Sequence, residues 1–242
     1  MESQSNKEIL YLRNKLASVT YKGDRFKIAV EDNKEIFGAT GGDLGESFYK
    51  LISIKGIYKT IIEIDKKIQI SINEAIRYAN LDPSKDNFNF LEGNEMQFLA
   101  YYFIENALFR VSSLWDLLAQ LYNIYYDIKF PIDKLHYKRF FTSKKHKNII
   151  GEEIGLYLEQ KDNTDCEGEW QGNHQYVKNL RNKMTHRNSP NITVISNFDT
   201  EFKLPPIYSL KRITEDYATA SKYIDEILNK AQKNLKNPFN KK

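Results

Sequence analysis

The segment from Glu95 to Ile128 constrains the fold most, because apolar residues recur there at steps of three or four with no Pro or Gly between them. This spacing predicts one long amphipathic helix, and such a helix must cover its apolar face with other helices. We therefore expect a mainly α-helical protein, an up-and-down helical bundle with long core helices. The stripe that forms its core comprises Met96, Leu99, Phe103, Ala107, Val111, Leu114, Leu118, Leu121 and Tyr125.

Weaker patterns predict the remaining elements. The segment Leu44 to Ala79 fits a long helix better than a strand, although Ile68 to Ile72 is rich in β-branched residues and alternates. One or two short β-hairpins are possible, at Tyr21 to Phe37 and at Asn191 to Pro206, where the alternative is a loop. Three further helices are predicted over Lys7 to Val19, Trp170 to Arg187 and Tyr208 to about Ala231.

Length and composition limit the class of protein. The 242 residues suit one domain with appendages, which we divide into an N-terminal helical extension over 1–90, a helical bundle over 91–234 and a basic tail over 235–242. The single cysteine, Cys166, excludes an internal disulfide and indicates a reducing compartment. The sequence has no signal peptide and no apolar run of the eighteen or so residues that a membrane span needs, so we expect a cytoplasmic protein.

The net charge of +4 is modest, but the charges lie in blocks. Residues Lys129 to Ile149 carry seven basic side chains against Asp133 alone, with Tyr137, Phe140 and Phe141 interleaved. Such a patch could follow an RNA backbone and stack bases on its aromatic rings. The other interpretation, which we favour, is a solvated helix whose aromatic rings are buried.

Motifs for metals and nucleotides are missing. Glu152 and Glu153 lie near His146, but neither the His-Glu-x-x-His spacing nor a paired carboxylate and histidine pattern is present. Gly41-Gly42 lacks the Lys and Ser or Thr that follow in a phosphate loop. We therefore predict no metal and no cofactor.

One short motif carries chemistry. The run Arg181-Asn182-Lys183-Met184-Thr185-His186 resembles the Arg-x4-6-His motif of the HEPN superfamily, in which a polar residue follows the arginine. It lies near the end of a predicted helix that comes after the long core helix, and the segment from Phe103 to Asn123 also looks like the core helix of stand-alone bacterial HEPN proteins. The resemblance covers roughly Met96 to Arg187 and does not extend to the first ninety residues.

The residue types of the motif suit RNA cleavage by attack of a 2′-hydroxyl on the adjacent phosphate. His186 can transfer a proton near neutral pH, and Arg181 can hold two oxygens of the phosphorane, while Asn182 positions a ligand or the imidazole. Five helical positions separate Arg181 from His186, so the two point about 140° apart on one helix. The resemblance implies a homodimer with a composite site, acting as a metal-independent endoribonuclease in a toxin or antiviral setting with a possible antitoxin or defence-system partner.

Other interpretations remain open. The chain could be a non-catalytic module that binds RNA, a nucleotide or a protein partner, or a purely structural dimerisation domain. Arg181 and His186 would then be a surface arginine and a helix-capping histidine. If RNA is bound, the candidates for contacting its phosphates are Lys138, Arg139, Lys178 and Arg187.

Further side chains near the motif have two interpretations each. Asp116, on the core helix, could orient Arg181 or His186, or it could be a surface or capping carboxylate beside a core Trp115. His174 precedes Arg181 by seven residues on the motif helix. We expect His174 to be exposed and assign it no catalytic role.

Overall fold

The computed structural model describes residues 4–22, 25–26, 29–30, 34–35, 45–163, 171–186, 192–195 and 200–234. Within them the chain is mainly α-helical. None of the described helices is long and apolar enough to cross a membrane. In chain order the helices are α1 Gln4–Ser18, α2 Glu46–Leu81, α3 Glu95–Tyr125, α4 Tyr137–Thr142, α5 Lys144–Ile150, α6 Glu153–Glu159, α7 Asn173–His186 and α8 Pro206–Asn234, with one 3-10 turn at Ile132–Lys134.

The long helices form an up-and-down bundle, as the apolar stripes predict. Helix α2 runs antiparallel to α3, since the rings of Tyr78 and Phe103 stack near one end. Helix α8 runs in the same direction as α3, because the indole of Trp115 contacts Asp216 and the hydroxyl of Tyr125 contacts Asn234. Helix α7 comes between α3 and α8 along the chain and runs in the opposite direction to both.

A continuous apolar core lies between α1, α2, α3 and α8. The stripe predicted for the core helix supplies much of it: Ala107, Val111, Leu114 and Leu118 are wholly buried on α3. Burying a valine or leucine side chain contributes about 1.5 to 3 kcal/mol, so the paired stripes are the main source of stability. The segment for which a strand was the alternative forms α2, in which Ile68 and Ile72 are buried in the core and Ile70 is exposed.

Within the described part of the chain, two short antiparallel hairpins accompany the helices. Strand β1 Ala29–Val30 pairs with β2 Lys34–Glu35, and β3 Val194–Ile195 pairs with β4 Thr200–Glu201. Both hairpins fall within the segments where the sequence allows one. The second hairpin joins α7 to α8.

The basic segment after α3 folds into short helices. The rings of Tyr137, Phe140 and Phe141 are buried against the bundle, so they do not offer faces for base stacking. Helix α4 begins where Asp116 of α3 accepts a hydrogen bond from the backbone N–H of Tyr137, at 3.2 Å. Of the two interpretations of this segment, the one with buried aromatic rings is confirmed, and Asp116 serves as a capping carboxylate.

A cluster of polar side chains stabilises the turn from α2 to α3. The buried carboxylate of Asp82 accepts hydrogen bonds from Ser84, Asn94 and Gln97. The side chain of Asn94 also caps α3 by accepting from the backbone N–H of Gln97 at 3.0 Å. The cluster therefore caps the start of α3 and connects it to Asp82, the residue that follows α2.

Candidate functional site

Helix α7 carries the arginine and histidine motif, and His186 lies in its last described turn, within the range Trp170 to Arg187 over which a helix is predicted. The side chain of Arg181 is half-buried and that of Asn182 is exposed. The side chain of His186 and the whole of Arg187 lie outside the described residues. The position of the histidine relative to the arginine is therefore fixed here only by the helical backbone.

Three polar side chains share one face of α7. His174, Lys178 and Arg181 follow one another at spacings of four and three, which places them in a row along the helix. This row faces α4, because the hydroxyl of Tyr137 lies 3.1 Å from Nε2 of His174. Burial raises the pKa of Tyr137, and the charge of Arg181 is close enough to oppose that shift.

The structure brings two of the predicted RNA contacts together. The side chains of Lys138 on α4 and Lys178 on α7 are neighbours. The pKa of Lys178 is lowered, mainly because partial burial removes water from its ammonium group and also because the ammonium of Lys138 lies beside it. Two like charges in contact repel each other, and an anion between them would relieve the repulsion. Together with Arg181 they form what we call the α4–α7 basic cluster: Lys138, Lys178 and Arg181.

Arg139 does not join this cluster. Its guanidinium lies 6.0 Å from the centre of the Phe130 ring, and its side chain is exposed. Neighbouring positions on a helix point about 100° apart, which separates Arg139 from Lys138. Of the four predicted RNA contacts, two are therefore adjacent, one points elsewhere and Arg187 lies outside the described residues.

A buried polar network lies beneath the cluster. The carboxylate of Asp216 on α8 is wholly buried and accepts from Nε1 of Trp115 at 3.1 Å and from the hydroxyl of Tyr157 at 3.0 Å. Nδ1 of His174 lies 3.2 Å from the same carboxylate. Because Tyr137 contacts the other ring nitrogen of His174, side chains of α3, α4, α6 and α7 converge on one carboxylate of α8.

This network corrects the prediction for His174, which is buried and not exposed. In the sequence, only the spacing of seven residues between His174 and Arg181 indicated that His174 lies near the motif. Asp216 carried a signal of its own, since it lies between Ile213 and Ala220 on the apolar face of α8. A carboxylate at such a position needs several donors around it, because burying a charge without partners is costly. Both residues position α7 and do not line an open site.

The beginning of α7 is also anchored. Arg212 of α8, wholly buried, donates to Asp162 at 2.5 Å and to the carbonyl of Gln171 at 2.9 Å. The next residue, Gly172, has a φ of +68° and lies directly against the backbone of Lys161, where no side chain would fit. Helix α7 is thus held at Gly172, just before it begins, and at His174 in its first turn, so the direction of the row of polar side chains is fixed.

The site can bind a negatively charged group. Two lysines and an arginine share one surface above the buried network around Asp216. Arginine can hold two phosphoryl oxygens at once. Within the residues that the structure describes, no three His, Cys, Asp or Glu side chains come together as a metal site would require. The arrangement favours chemistry or binding at a phosphate.

Comparison with known proteins agrees with the motif. Residues 55–241 match the family described as HEPN_Cthe2314-like HEPN, which is more than three quarters of the chain. No curated protein matches the chain. No solved structure matches it either. The matched region begins within α2 and includes α7 with its motif.

Proposed function

The chain belongs to the HEPN_Cthe2314-like HEPN family, and from this we propose that it is a metal-independent endoribonuclease. Its candidate catalytic residues are Arg181 and His186, with Asn182 as a positioning residue. The observation that carries the proposal is the row of polar side chains on α7, which places Arg181 one turn from Lys178 and beside α4. A phosphate bound by Lys178 and Arg181 would contact the same helix that carries His186.

The proposed reaction transfers a phosphoryl group within the RNA. The 2′-oxygen attacks the adjacent phosphorus, its proton passes to a base, and the bond to the 5′-oxygen breaks as that oxygen gains a proton. The products are a 2′,3′-cyclic phosphate and a 5′-hydroxyl. His186 transfers a proton, and Arg181 offsets the negative charge that grows on the phosphorane oxygens.

Lys138 and Lys178 are proposed to hold the RNA backbone next to the scissile phosphate. Their side chains are neighbours, so together they can neutralise negative charge along a strand. Arg139 and Arg187 are proposed as further contacts outside the basic cluster. Base recognition by the buried rings of the basic segment does not form part of the proposal.

A homodimer is proposed because one helix alone makes a poor active site. Arg181 and His186 point about 140° apart around α7, so one copy does not aim both at the same phosphate. A two-fold axis that brings two α7 helices together would place the arginine of one copy near the histidine of the other. A role in toxin or antiviral systems of the cytoplasm, with a neutralising partner, belongs to the same proposal.

The experiment that tests the function is cleavage of a mixed RNA pool by the purified full chain in the presence of EDTA. The wild type is compared with Arg181→Ala and His186→Ala. The matched control is Lys66→Gln, an exposed change on α2, which does not pack against α7. We expect each motif variant to lose at least about a hundredfold in rate, as loss of a general acid or base does for His186 and loss of a charge-stabilising donor does for Arg181. The control should keep full activity.

The alternative function is a module that binds RNA, a nucleotide or a protein partner without cleaving RNA. RNA that stays bound and intact under every condition would support this alternative and reject the enzyme. Mixing Arg181→Ala with His186→Ala tests the composite site separately. Recovery of part of the activity in the mixture would support a shared site, whereas no recovery from a mixed dimer would place both residues in one copy.

A further inference from the structure

Three aromatic side chains are exposed along one side of α3. Phe98, Tyr102 and Phe109 are 59%, 53% and 41% exposed. They are the exposed large apolar side chains of this helix, which the structure describes throughout, and none of them is aliphatic. Spacings of four and seven place the three rings in one line along the helix. We call them the α3 aromatic row.

The row lies next to the side of α3 that contacts α7. The indole of Trp115 meets the imidazole of His174 on α7, with ring centres 5.2 Å apart. At about 100° per residue, the three residues of the row are turned roughly 100° to 140° from Trp115 around the helix axis. Asp116 is turned about 100° in the same sense, and it bonds the backbone N–H of Tyr137 where α4 begins. The row therefore continues, toward the beginning of α3, the side on which α4 lies.

The row also lies beside the motif along the helix axes. Helix α7 runs antiparallel to α3, and His174 is level with Trp115. Arg181, seven residues after His174, is therefore about 10 Å nearer to the beginning of α3, at the level of Phe109. Lys138 of the α4–α7 basic cluster is at the beginning of α4, which Asp116 caps. Cationic groups thus border the row along α7 and at its end nearest to α4, so the surface is complementary to a phosphate backbone.

The rings of the row can accept a planar group. The ring of Tyr102 packs edge to face against Phe103, with centres 5.2 Å apart, and this contact holds its orientation. Phe103 in turn stacks on Tyr78 of α2 at 5.8 Å. Among the residues that the structure describes, no ring packs against Phe98 or Phe109, so their exposed faces are open to a ligand.

The row is too small to form the interface of a stable dimer by itself. An aromatic side chain has about 150 to 250 Å² to bury, so the exposed parts of the three amount to roughly 300 Å². A stable interface takes about 800 Å² from each partner. Polar side chains flank the row, with Glu105 on one side and Ser113 and Asn106 on the other. Separate flat rings bordered by cations suit stacked bases better than a second copy.

We propose that the α3 aromatic row stacks the bases of a single-stranded RNA whose backbone lies on the α4–α7 basic cluster. The inference rests on the proposed function and specifies its substrate class. Stacking on an aromatic ring tolerates any base, because every base has a π-face. In a duplex the bases stack on one another inside the helix, so their faces do not reach the row. The surface thus selects unpaired RNA without selecting a sequence.

The test is fluorescence anisotropy of a labelled single-stranded RNA of about twelve nucleotides, bound by the full chain in the His186→Ala background so that the RNA stays intact. We compare this parent with Tyr102→Leu and Phe109→Leu, which keep apolar bulk but lose the flat ring, and with Phe109→Tyr, which keeps the ring. Tyr49→Leu is the matched control, because Tyr49 is 52% exposed on α2, about 40 Å along that helix from Tyr78. We expect about fivefold weaker binding in each leucine variant of the row and unchanged binding in Phe109→Tyr and the control.

Salt dependence separates stacking from charge. The leucine variants of the row should bind more weakly without a change in the slope of log affinity against log salt concentration, because no phosphate contact is lost. A strand of the same length with abasic sites should bind equally to the parent and to these variants. Equal affinity of the parent and both leucine variants for the intact strand, or no RNA binding at all, would overturn the proposal. Dissociation of a dimer by the leucine changes, measured by sedimentation velocity, would also overturn it and assign the row to a second copy.

Cleavage is measured separately, with the same aromatic changes in a chain that keeps His186. RNA cutting by the wild type, combined with unchanged binding in Tyr102→Leu and Phe109→Leu, would overturn the role of the row and leave the proposed function intact. Weaker binding in these variants of a chain that cuts no RNA would support the row and reject the enzyme. The substituted side chains are all exposed, so the variants fold.

Discussion

The imidazole of His174 and the carboxylate of Asp216 lie 3.2 Å apart in the interior, with the two side chains 2% and 0% exposed. An imidazole protonated at Nδ1 donates to Asp216 and accepts from the hydroxyl of Tyr137 at Nε2, which satisfies both contacts. The pair attaches α7 to α8 one helical turn before Lys178. The direction in which α7 presents its cationic row therefore depends on a buried carboxylate.

We predict that Asp216→Asn destabilises the protein. The amide keeps the size of the side chain but replaces an acceptor oxygen by a donor, so at least one of the three donors that converge there loses its partner. The expected loss is about 2 kcal/mol, or about 4 to 8 °C in melting temperature. Thermal unfolding measures it, with Glu226→Gln, a partly exposed change on the same helix, as the control. Equal melting temperatures for Asp216→Asn and the wild type would show that the network does not hold the fold.

The first turn of α7 gives a second prediction, about Gly172→Ala. A Cβ there would lie 2.4 Å from the backbone of Lys161, and the φ of +68° is unfavourable for alanine. Gly151→Ala is a matched control, because Gly151 also has a positive φ, +89°, but its Cβ would meet open space. The control itself should lose about 2 kcal/mol, because a φ of 89° with a ψ of 172° is adopted almost only by glycine. We expect a clearly larger loss from Gly172→Ala in urea unfolding, since it adds the close contact to the backbone strain. Similar losses would show that the close contact is not important.

The basic cluster predicts how RNA binding depends on salt. Replacing Lys138 and Lys178 by glutamine removes two phosphate contacts, so binding weakens and its logarithm falls less steeply with the logarithm of salt concentration. We expect the slope to decrease by about 1.4 for a single strand. Filter binding of the catalytically inactive His186→Ala background at several salt concentrations measures the slope. An unchanged slope in the double variant would mean that RNA does not contact these lysines, and Lys66→Gln shows the effect of losing an unrelated charge.

The turn between α2 and α3 predicts a dependence of stability on pH. Burial alone would raise the pKa of Asp82, but hydrogen bonds from Ser84, Asn94 and Gln97 outweigh it and hold the pKa below the usual 3.8. A carboxyl group whose folded pKa is depressed contributes stability that is present above its unfolded pKa and is lost as pH falls through the folded value. Asp82→Asn should therefore be less stable than the wild type at pH 7, and the difference should shrink below about pH 4. A difference in urea unfolding that stays constant from pH 7 to pH 3 would contradict this.

Apolar periodicity was sufficient to predict the fold class. The stripe on α3 and the spacing on α8 extend over many turns, and each of them predicts a helix whose apolar face needs partners. The short helices after α3 were harder to predict, because their burial depends on contacts with α3 and α8 that are distant in sequence. The domain boundary at residue 90 stays a prediction, although α2 shares its core with α3.

The candidate site was predicted only in part. The motif on α7 could be recognised because its residues are close together in the sequence, and Lys138 and Lys178 were named as separate candidates without any reason to expect them to be neighbours. The prediction that His174 is exposed was wrong because its burial depends on Asp216, forty-two residues later. A single sequence does not show which distant donors surround a carboxylate.

The measurement that tests the central claim most directly is the chemistry of the RNA ends produced in EDTA. The account predicts fragments that carry a 2′,3′-cyclic phosphate and a 5′-hydroxyl, formed by the wild type and not by His186→Ala. Fragments with a 3′-hydroxyl and a 5′-phosphate, or cutting that EDTA abolishes, would contradict attack by the 2′-hydroxyl and the role assigned to the motif.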